Sequence, residues 1–509
     1  MSEGGPPADG GPAEDDESGG RLGEALSARR EKLERLRARG VEPFALRFDI
    51  DTALEDIRRD FEGLEPESST GRRVKVAGRV VLLRRHGKLA FATIRDRTAD
   101  IQLFLSEGSL DPEAFALIDD LDLGDIVGAE GEVVTTRRGE LSVKAERLEL
   151  LSKALRPLPE KWHGLRDPEL RFRQRYLDLA ISHEARRVIW TRAKTLAALR
   201  ETLNAGNFIE VETPVLQVTH GGALAQPFVT HHNVLDADLY LRIAPELYLK
   251  RLLVAGLERV YEIGRNFRNE GVDWQHNPEF TMLEAYQAYG TYEDMMDLDE
   301  ALVSGAAMAV RGALAFDYKG REIDLTPPWP RVTILDLVSK VVGEEVTLDR
   351  TDLAALAERG GVHVDPSWGP GKIVMELYEK LAESDIWEPT FVTDFPREVS
   401  PLARPHRSMP GVTEQFDLVI AGMEIGPAYS ELTDPDEQRS KFELQQEARR
   451  KGDREAHPLD EDFLRALEHG MPPAGGLGFG VDRMTMILAD APSIREVIAF
   501  PHLRPQTGT

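Results

Sequence analysis

Three short segments of this 509-residue chain carry the residues that could do chemistry. In the first, ERVYEIGRNFRNEGVDWQHNPEFTMLEAYQAY, an apolar strand ends in Arg265 and Arg268, a turn rich in glycine and charge follows, and a second strand begins at His276. The glutamates that accompany these cations are Glu270, Glu279 and Glu284. The pattern predicts a hairpin on which positive and negative groups converge, although a salt-bridged surface hairpin would carry the same charges.

The second segment, FDLVIAGMEIGPAYSEL, contains two acids suited to a divalent cation. Asp417 and Glu424 are seven residues apart, so on one continuous strand they would face opposite sides. A turn at Ala421-Gly422 would bring both to one site. Because Mg²⁺ takes few protein carboxylates and completes its shell with substrate phosphates, two acids beside a triphosphate fit that demand. An edge strand with solvent-facing acids is the alternative.

The third segment, GGLGFGVDRMTMIL, combines glycines with one arginine. Glycine allows a backbone to approach a flat ligand closely. Arg483 opens an apolar helix, where a cation requires an anionic or aromatic partner. The same glycines and arginine would also occur in a glycine-lined seam for helix packing, with the arginine reaching to solvent. The sequence contains no G-x-x-x-x-G-K-[ST] loop, no six-residue dinucleotide fingerprint, no G-x-S-x-G and no H-E-x-x-H.

The elements that must position these segments belong to one large α+β region, in which strands and helices alternate to the C-terminus. A long amphipathic helix is predicted over about His183 to Ala205 and should end at Gly206. We expect an insertion near 305–395.

A separate pattern precedes this region. From about Arg72 to Leu151, five short strand candidates with alternating hydrophobicity are separated by glycine or charged turns. They predict a small closed barrel of the OB type, a frequent oligonucleotide binder, although a five-stranded barrel without a ligand stays open. We therefore divide the chain into a disordered acidic tail, an N-terminal helical segment, an OB-type barrel, a linker and a catalytic domain, over residues 1–20, 21–71, 72–152, 153–175 and 176–509.

The N-terminal segments change character abruptly. The first twenty residues contain six acids and no base, a composition that cannot bury enough apolar surface to fold. The next stretch, RLGEALSARREKLERLRARG, places leucines near helical spacing among many arginines, with Gly40 as its C-terminal cap. It predicts either a solvated amphipathic helix or a basic arm for phosphate backbones.

Composition excludes several classes of protein. Hydrophobic residues make up 41% of the chain, which excludes disorder for most of it, and the absence of cysteine excludes disulfides, thiolate zinc sites and a cysteine nucleophile. No apolar run approaches the roughly 18 residues that cross a bilayer, and no secretory signal is visible, so we expect a cytoplasmic protein without a membrane partner. The net charge of −26 argues only weakly against nucleic acid, because it describes the average surface.

The three segments, in this order, resemble motifs 2 and 3 of the class II aminoacyl-tRNA synthetases. GNFIEVETPVL, with Pro214, resembles motif 1, which builds the dimer interface in that family. More specifically, the chain resembles the class II lysyl-tRNA synthetases of bacterial type from about residue 22 to Pro505. The phrases that carry this resemblance are THHN, YLRIAPELYLKRL, GRNFRNEG, HNPEFTMLE, VSPLA, ALEHGMPP and G-x-G-x-DR.

The resemblance implies an α+β fold, with an antiparallel-sheet catalytic domain preceded by a five-stranded OB-type barrel. It implies a homodimeric lysine–tRNA ligase that uses ATP and Mg²⁺ and forms a lysyl-adenylate intermediate. The first step brings a carboxylate to a triphosphate, so catalysis should depend on cations and positioning rather than on a general base.

Roles in that family carry over to matching positions at the nucleotide end. Arg268 would steady the α-phosphate, and Arg483 would hold the γ-phosphate end together with His276, which makes the two arginines the catalytic residues. Glu270 would accept from the adenine amino group and Phe280 would lie under the adenine ring. Asp417 and Glu424 would carry Mg²⁺.

At the amino-acid end, the resemblance implies that Glu431 meets the lysine side-chain ammonium. The other residues of that pocket would be Gly222, Glu246, Glu284, Tyr286 and Tyr429, with Glu246 on the α-ammonium. The family usually has Asn where Pro427 stands, Phe at Tyr429, Glu at Asp417, and a small polar residue and Arg at Leu224 and Gln226. These departures lie around the part of the site that would bind the amino acid.

In the barrel, the resemblance implies that Phe91, Gln102 and Glu140 read the anticodon uridines of tRNA(Lys), although Phe91 could also be barrel core. The basic pairs Arg84-Arg85 and Arg137-Arg138 could touch phosphates. Two other functions stay open: a paralogue with a changed amino acid or a protein acceptor, and a non-catalytic RNA-binding relative. The non-catalytic relative predicts the loss of Arg268, Glu270 or Arg483, and all three are present.

Overall fold

The structure is a computed structural model that describes residues 20–158, 167–450 and 456–504. The predicted acidic tail, apart from Gly20, lies outside the described residues. The helices are α1 Arg21–Ala38, α2 Leu54–Phe61, α3 Pro112–Leu117, α4 Pro168–Arg173, α5 Arg175–Ile181, α6 His183–Ala205, α7 Glu246–Val254, α8 Tyr292–Arg311, α9 Ile334–Val342, α10 Leu353–Arg359, α11 Pro370–Leu381, α12 Pro435–Arg450, α13 Glu461–Glu468, α14 Val481–Ala489 and α15 Ile494–Val497.

The strands are β1 Ser69–His86, β2 Leu89–Arg95, β3 Asp100–Ser106, β4 Ile126–Thr135, β5 Leu141–Ser152, β6 Ile209–Glu210, β7 Leu216–Gln217, β8 Val229–His232, β9 Ala237–Leu241, β10 Arg259–Phe267, β11 Glu279–Ala288, β12 Ala315–Tyr318, β13 Arg321–Asp324, β14 Arg331–Thr333, β15 Thr390–Thr393, β16 Gln415–Ile420, β17 Met423–Ser430 and β18 Ala474–Gly480. The chain forms two compact units. The first comprises the described residues up to Arg171 together with Tyr176–Ile181, and the second comprises Phe172–Arg175 and the described residues from Ser182 onward.

In the first unit, the five predicted strands form a closed barrel in the order β1-β2-β3-β5-β4, which confirms the predicted OB-type architecture. The barrel closes because the long strand β1 pairs with β4 through its first half and with β2 through its second half. Alternate residues point inward, so Val74, Val76, Ala90 and Ala92 are buried and their neighbours are not.

The predicted N-terminal helix is confirmed as α1, and Gly40 follows it with a φ of 72°, the left-handed conformation typical of a helix cap. Its basic residues are largely engaged with the barrel. Arg29 is buried and donates to backbone carbonyls, and Arg35 and Arg39 share the carboxylate of Asp120. The structure therefore favours the amphipathic helix over a free basic arm.

The second unit is built on an eight-stranded sheet in the order β14-β15-β16-β17-β18-β11-β10-β6. Its strands are antiparallel from β15 to β10, and the pairs at the two edges, β14–β15 and β10–β6, are parallel. This sheet confirms the predicted antiparallel catalytic fold.

The two faces of the sheet have different coverings. Leu283 and Ala285 of β11 belong to a core shared with helices α6, α8 and α14, whereas Tyr286 and Ala288 belong to a core shared with α7 and α13. Successive residues of a strand face opposite sides, so Glu284 shares the face of Tyr286. The predicted helix over His183–Ala205 is confirmed with the same bounds as α6.

Two of the expected segments contain helices or strands. The expected linker 153–175 contains α4, and residues 159–166 of it lie outside the described residues. Part of the expected insertion near 305–395 belongs to the main body, because α8 runs to Arg311 and both β14 and β15 join the large sheet. Helices α9 to α11, between those two strands, pack around a core of their own. Within the described ranges, no helix is long and apolar enough to span a membrane.

Candidate active site

A cavity of about 440 Å³ opens in the second unit and is lined by residues from all three chemistry-bearing segments. The lining contains every predicted nucleotide, metal and amino-acid residue except Glu431. Those lining residues are Gly222, Glu246, Arg268, Glu270, His276, Phe280, Glu284, Tyr286, Asp417, Glu424, Tyr429 and Arg483. Antiparallel pairing of β11 with both β10 and β18 brings the first and third segments together, and pairing of β17 with β18 adds the second.

At one end of the cavity, Arg268 lies at the end of the β10–β11 hairpin, with its guanidinium 5.1 Å from the centre of the Phe280 ring. Burial lowers the pKa of Arg268, an effect that the nearby carboxylate of Glu270 opposes. Its Nε is buried and has no hydrogen-bond partner in the described part of the chain. A half-buried guanidinium that lines a cavity with one buried donor unused is suited to an anionic ligand.

Beside it, Arg483 and His276 form a fixed pair. Arg483 Nη2 lies 3.0 Å from His276 Nε2, and its Nη1 donates to the backbone carbonyl of Glu424. Because arginine can only donate, His276 Nε2 accepts, so its Nδ1 carries the proton and donates to Asp273 at 2.7 Å. This chain of contacts orients both side chains before any ligand arrives.

The predicted turn at Ala421-Gly422 is present, and both residues have left-handed φ values, 53° and 69°. A bulge between Leu418 and Val419 shifts the pairing of β16 with β17, and both Asp417 and Glu424 line the cavity. Burial, followed by the charge of Glu424, raises the pKa of Asp417 well above its usual range. Two further carboxylates that the sequence did not single out, Glu383 and Glu379, add to this effect.

The two predicted acids fit a divalent cation. Asp417 Oδ1 is buried without a hydrogen-bond partner among the described residues, and carboxylate oxygens are hard ligands of the kind that Mg²⁺ prefers. In the described ranges, no group of three or more ligating side chains could hold a metal ion. A cation here therefore needs ligands from the substrate as well.

The other end of the cavity is rich in acids and phenols. The Tyr429 hydroxyl donates to Glu246 at 2.7 Å, and the Tyr286 hydroxyl donates to Glu284 at 3.0 Å. Burial, followed by the charge of Glu246, raises the pKa of Glu284 well above its usual range. Gly222 has a φ of 91°, and a methyl group on it would lie 2.9 Å from Glu246 Cβ, so glycine leaves room for that carboxylate.

Glu431 is buried at this end but does not line the cavity. Its carboxylate forms an ion pair with Lys250, a fully buried residue of α7. Burial raises the pKa of Glu431 to about 8, and the charge of Lys250 opposes that rise. Sequence reasoning missed Lys250. The available signal was a lysine four residues after Glu246 in an otherwise apolar helix.

The barrel residues lie on the outside of the first unit. Phe91 is half-buried between the inward-facing Ala90 and Ala92, so it is not barrel core, and its ring stacks on Phe104 with centroids 5.5 Å apart. Gln102, on the neighbouring strand, donates to Ser142 at 2.9 Å. Glu140 is exposed on the turn two residues before Ser142. The predicted basic pairs Arg84-Arg85, in β1, and Arg137-Arg138 are exposed as well.

Comparison with known proteins matches both units. Residues 167–504 match the family "tRNA synthetases class II (D, K and N)" and residues 74–151 match "OB-fold nucleic acid binding domain". The chain belongs to the class II tRNA synthetases. A non-catalytic class II relative would have lost Arg268, Glu270 or Arg483, and in this class II synthetase all three line the cavity.

Curated relatives are similar over nearly the whole chain. A lysine–tRNA ligase of Syntrophomonas wolfei is 48% identical over 96% of this chain and 98% of its own length. One of Pelotomaculum thermopropionicum is 50% identical over 95% and 96%, and one of Synechococcus sp. strain CC9311 is 50% identical over 95% and 100%. These matches cover both the barrel and the catalytic region of this chain.

Proposed function

We propose that this class II synthetase ligates lysine to its tRNA in two steps at the cavity of the second unit, with ATP as the energy source. The observation that carries the proposal is the polarity of that cavity. One end has an arginine whose buried Nε has no hydrogen-bond partner among the described residues, and the other has a cluster of carboxyls and phenols that are largely buried. Such a cavity suits a triphosphate at one end and a positively charged amino acid at the other.

In the first step, a lysine carboxylate oxygen attacks the α-phosphorus of ATP, the new P–O bond forms, and the bond to pyrophosphate breaks. The carboxylate is ionised at neutral pH, so no base is needed. Arg268 steadies the charge that develops on the α-phosphate, and the Arg483–His276 pair holds the γ-phosphate end. Phe280 and Glu270 bind the adenine by its face and its amino group.

Asp417 and Glu424 are the residues that would hold Mg²⁺. When bound, Mg²⁺ neutralises part of the phosphate charge. The two carboxylates supply hard oxygen ligands from adjacent strands and leave the remaining positions to phosphate oxygens. The buried, unpartnered oxygen of Asp417 supports this assignment.

For the amino acid, Glu246 binds the α-ammonium, Glu431 supplies the negative charge for the side-chain ammonium, and Tyr286 and Tyr429 form the walls. Glu284 and Gly222 complete the pocket. A second candidate, a changed amino acid, is favoured by Pro427, which lines the same cavity and has no side-chain amide to offer a substrate.

For the tRNA, we assign anticodon binding to the barrel, over about residues 72–152, and both chemical steps to the domain over residues 176–509. Phe91, Gln102 and Glu140 would contact the anticodon. In the second step, the terminal ribose hydroxyl oxygen of tRNA attacks the carbonyl carbon of the adenylate, its proton passes to a phosphate oxygen, the bond from the carbonyl carbon to the phosphate breaks, and AMP leaves.

A homodimer is supported by the apolar surface of the motif 1 region. Among residues 209–235, several large apolar side chains are strongly exposed, which is typical of a protein–protein interface. They are Ile209, Val215, Leu216, Val218, Val229, Val234 and Leu235. A cytoplasmic location stays a prediction.

The deciding experiment is ATP–pyrophosphate exchange with each of the standard amino acids, followed by aminoacylation of tRNA(Lys). We expect exchange that depends on Mg²⁺ and is strongest with lysine. Exchange that is strongest with another amino acid would replace lysine in the proposal, and exchange with none would contradict it.

A further inference from the structure

Lys250 is a buried charge that the proposed mechanism does not use. It lies on α7, one turn after Glu246, and has no exposed surface. Its ammonium is 2.5 Å from Glu246 Oε1 and forms a second ion pair with Glu431. The same ammonium lies 5.4 Å from the centre of the Tyr429 ring. This internal cation therefore joins α7 to β17 and to Glu431, the residue that follows β17.

Lys250 lies outside the cavity lining, and this position limits its possible role. Glu246 and Tyr429 line the cavity, but Lys250 and Glu431 do not. Lys250 thus contacts the pocket carboxylates from behind and would not touch a substrate. An uncompensated buried carboxylate is costly, so the bridge decides where the two carboxylates lie and whether both are ionised.

The charges also match the proposed substrate. When both are ionised, as the ion pairs with Lys250 favour, Glu246 and Glu431 carry two negative charges, and Lys250 cancels one of them. Lysine carries two ammonium groups and one carboxylate, so its net charge is one positive. Burial raises the pKa of Glu284, which disfavours a third negative charge in this pocket. One lysine molecule therefore neutralises the bridged pocket, and an uncharged side chain does not.

We propose that Lys250 is a specificity-determining positioning residue, which bridges Glu246 and Glu431 from behind the pocket and leaves it one net negative charge for lysine. The inference rests on the proposed function of this pocket. It predicts that loss of Lys250 impairs the recognition of lysine far more than that of ATP.

Loss of the bridge also has a consequence for pH dependence. Without Lys250, two buried carboxylates would face each other with no cation, and one of them would hold a proton to higher pH. Lysine binding needs both ionised, so binding would weaken on acidification from a higher pH than in the unaltered enzyme. The titratable groups around the bridge come from β11, β17, α7, α12 and two loops, and they are Glu246, Glu284, Tyr286, Tyr429, Glu431, Lys441 and His457.

The test uses the full-length enzyme with Lys250→Met and Lys250→Arg, and ATP–pyrophosphate exchange between pH 6 and 9. In Lys250→Met, we expect the KM for lysine to rise about tenfold or more, with the KM for ATP within about twofold. The midpoint of the acid limb for lysine binding should rise by about one pH unit or more. Lys250→Arg should keep the midpoint of the unaltered enzyme, because it keeps the charge, but it should raise the KM for lysine, because the larger guanidinium shifts the two carboxylates.

A matched control is Lys153→Met. Lys153 is equally buried and also bridges two carboxylates, Asp122 and Asp125, but in the barrel. Its replacement should lower the melting temperature and leave the KM for lysine and its acid midpoint unchanged.

The inference is overturned if folded Lys250→Met keeps the lysine KM and acid midpoint, or if the KM values for lysine and ATP rise equally. If Lys250→Met does not fold, Lys250→Arg decides. A raised KM for lysine with unchanged KM for ATP and unchanged midpoint supports the bridge, and an unchanged KM for lysine contradicts it. Failure of the proposed function would look different, because the unaltered enzyme itself would then show no exchange with lysine.

Discussion

Arg483 and His276 are 207 residues apart in the sequence, yet Arg483 Nη2 donates to His276 Nε2 across 3.0 Å at the arginine-lined end of the cavity. Strand pairing explains the meeting. His276 precedes β11, Arg483 follows β18, and these strands are neighbours, with Met282 opposite Gly480. The pair is therefore assembled by the sheet before ATP binds, which lowers the cost of ordering the site during catalysis.

Arg268 should be the most sensitive position for adenylate formation. We expect Arg268→Ala to lower the rate of lysine-dependent ATP–pyrophosphate exchange by about 10²–10³, because a preorganised donor to the developing charge is lost. Arg465, exposed on α13, provides the control, since Arg465→Ala should exchange at the unaltered rate. If Arg268→Ala lowers the exchange rate by less than about threefold, the assignment of Arg268 to the α-phosphate is contradicted.

Glu431 should govern the recognition of lysine. In Glu431→Gln, a neutral amide replaces the carboxylate behind the pocket, so we expect kcat/KM for lysine in exchange to fall by about two orders of magnitude or more. ATP binding, measured by calorimetry, should be nearly unchanged. Unaltered lysine-dependent exchange in this variant would contradict the assignment of the pocket.

Gly476 leaves the space that Glu431 and Tyr286 occupy. A methyl group on Gly476 would overlap the Glu431 carboxylate and lie 2.6 Å from Tyr286 Cε1. We expect Gly476→Ala to raise the KM for lysine by about tenfold or more, since both side chains must move. In Gly108→Ala, where the added methyl meets open space, kinetics should not change. Equal KM values for lysine in the two variants would contradict this prediction, because the pocket would then tolerate displacement of Glu431 and Tyr286.

Phe91 should matter for tRNA and not for adenylate formation. Stacking of a base on an aromatic ring contributes about 1–3 kcal/mol, so Phe91→Ala should lower kcat/KM for tRNA(Lys) by about 5- to 150-fold. ATP–pyrophosphate exchange should be unchanged. Leu89→Ala, at an exposed position of the same strand, is the control. Normal aminoacylation of tRNA(Lys) by Phe91→Ala would mean that the anticodon does not bind at Phe91.

Glu414 should contribute to acid stability. Burial favours its protonated form, but hydrogen bonds from Arg407 outweigh this effect and lower the pKa of Glu414 to about 2. A depressed carboxyl pKa stabilises the fold above the unfolded-state value, about 4.3, and this contribution is lost as the pH falls towards 2. Between pH 5 and 3, the melting temperature of Glu414→Gln should therefore fall less steeply than that of the unaltered protein. Parallel curves would contradict this role.

Local pattern was sufficient for much of the architecture. The alternation of apolar residues predicted the five barrel strands, and helical spacing predicted α6 with its observed bounds, because strand and helix periods depend on neighbouring residues. The turn at Ala421-Gly422 was also predictable, since glycine readily adopts the left-handed φ that a two-residue hairpin needs. The bulge that shifts Asp417 relative to Glu424 was not, because register depends on packing against β15 and β18.

The sequence by itself determined which chemical groups are present: arginines and a histidine suited to phosphate, two acids suited to a cation, and further glutamates and tyrosines. Tertiary structure alone decided how those charges are shared. It placed Lys250 between Glu246 and Glu431 and brought Glu379 and Glu383 near Asp417. The physical reason is that the charge state of a buried group depends on which other groups lose water with it, and those neighbours come from distant parts of the chain.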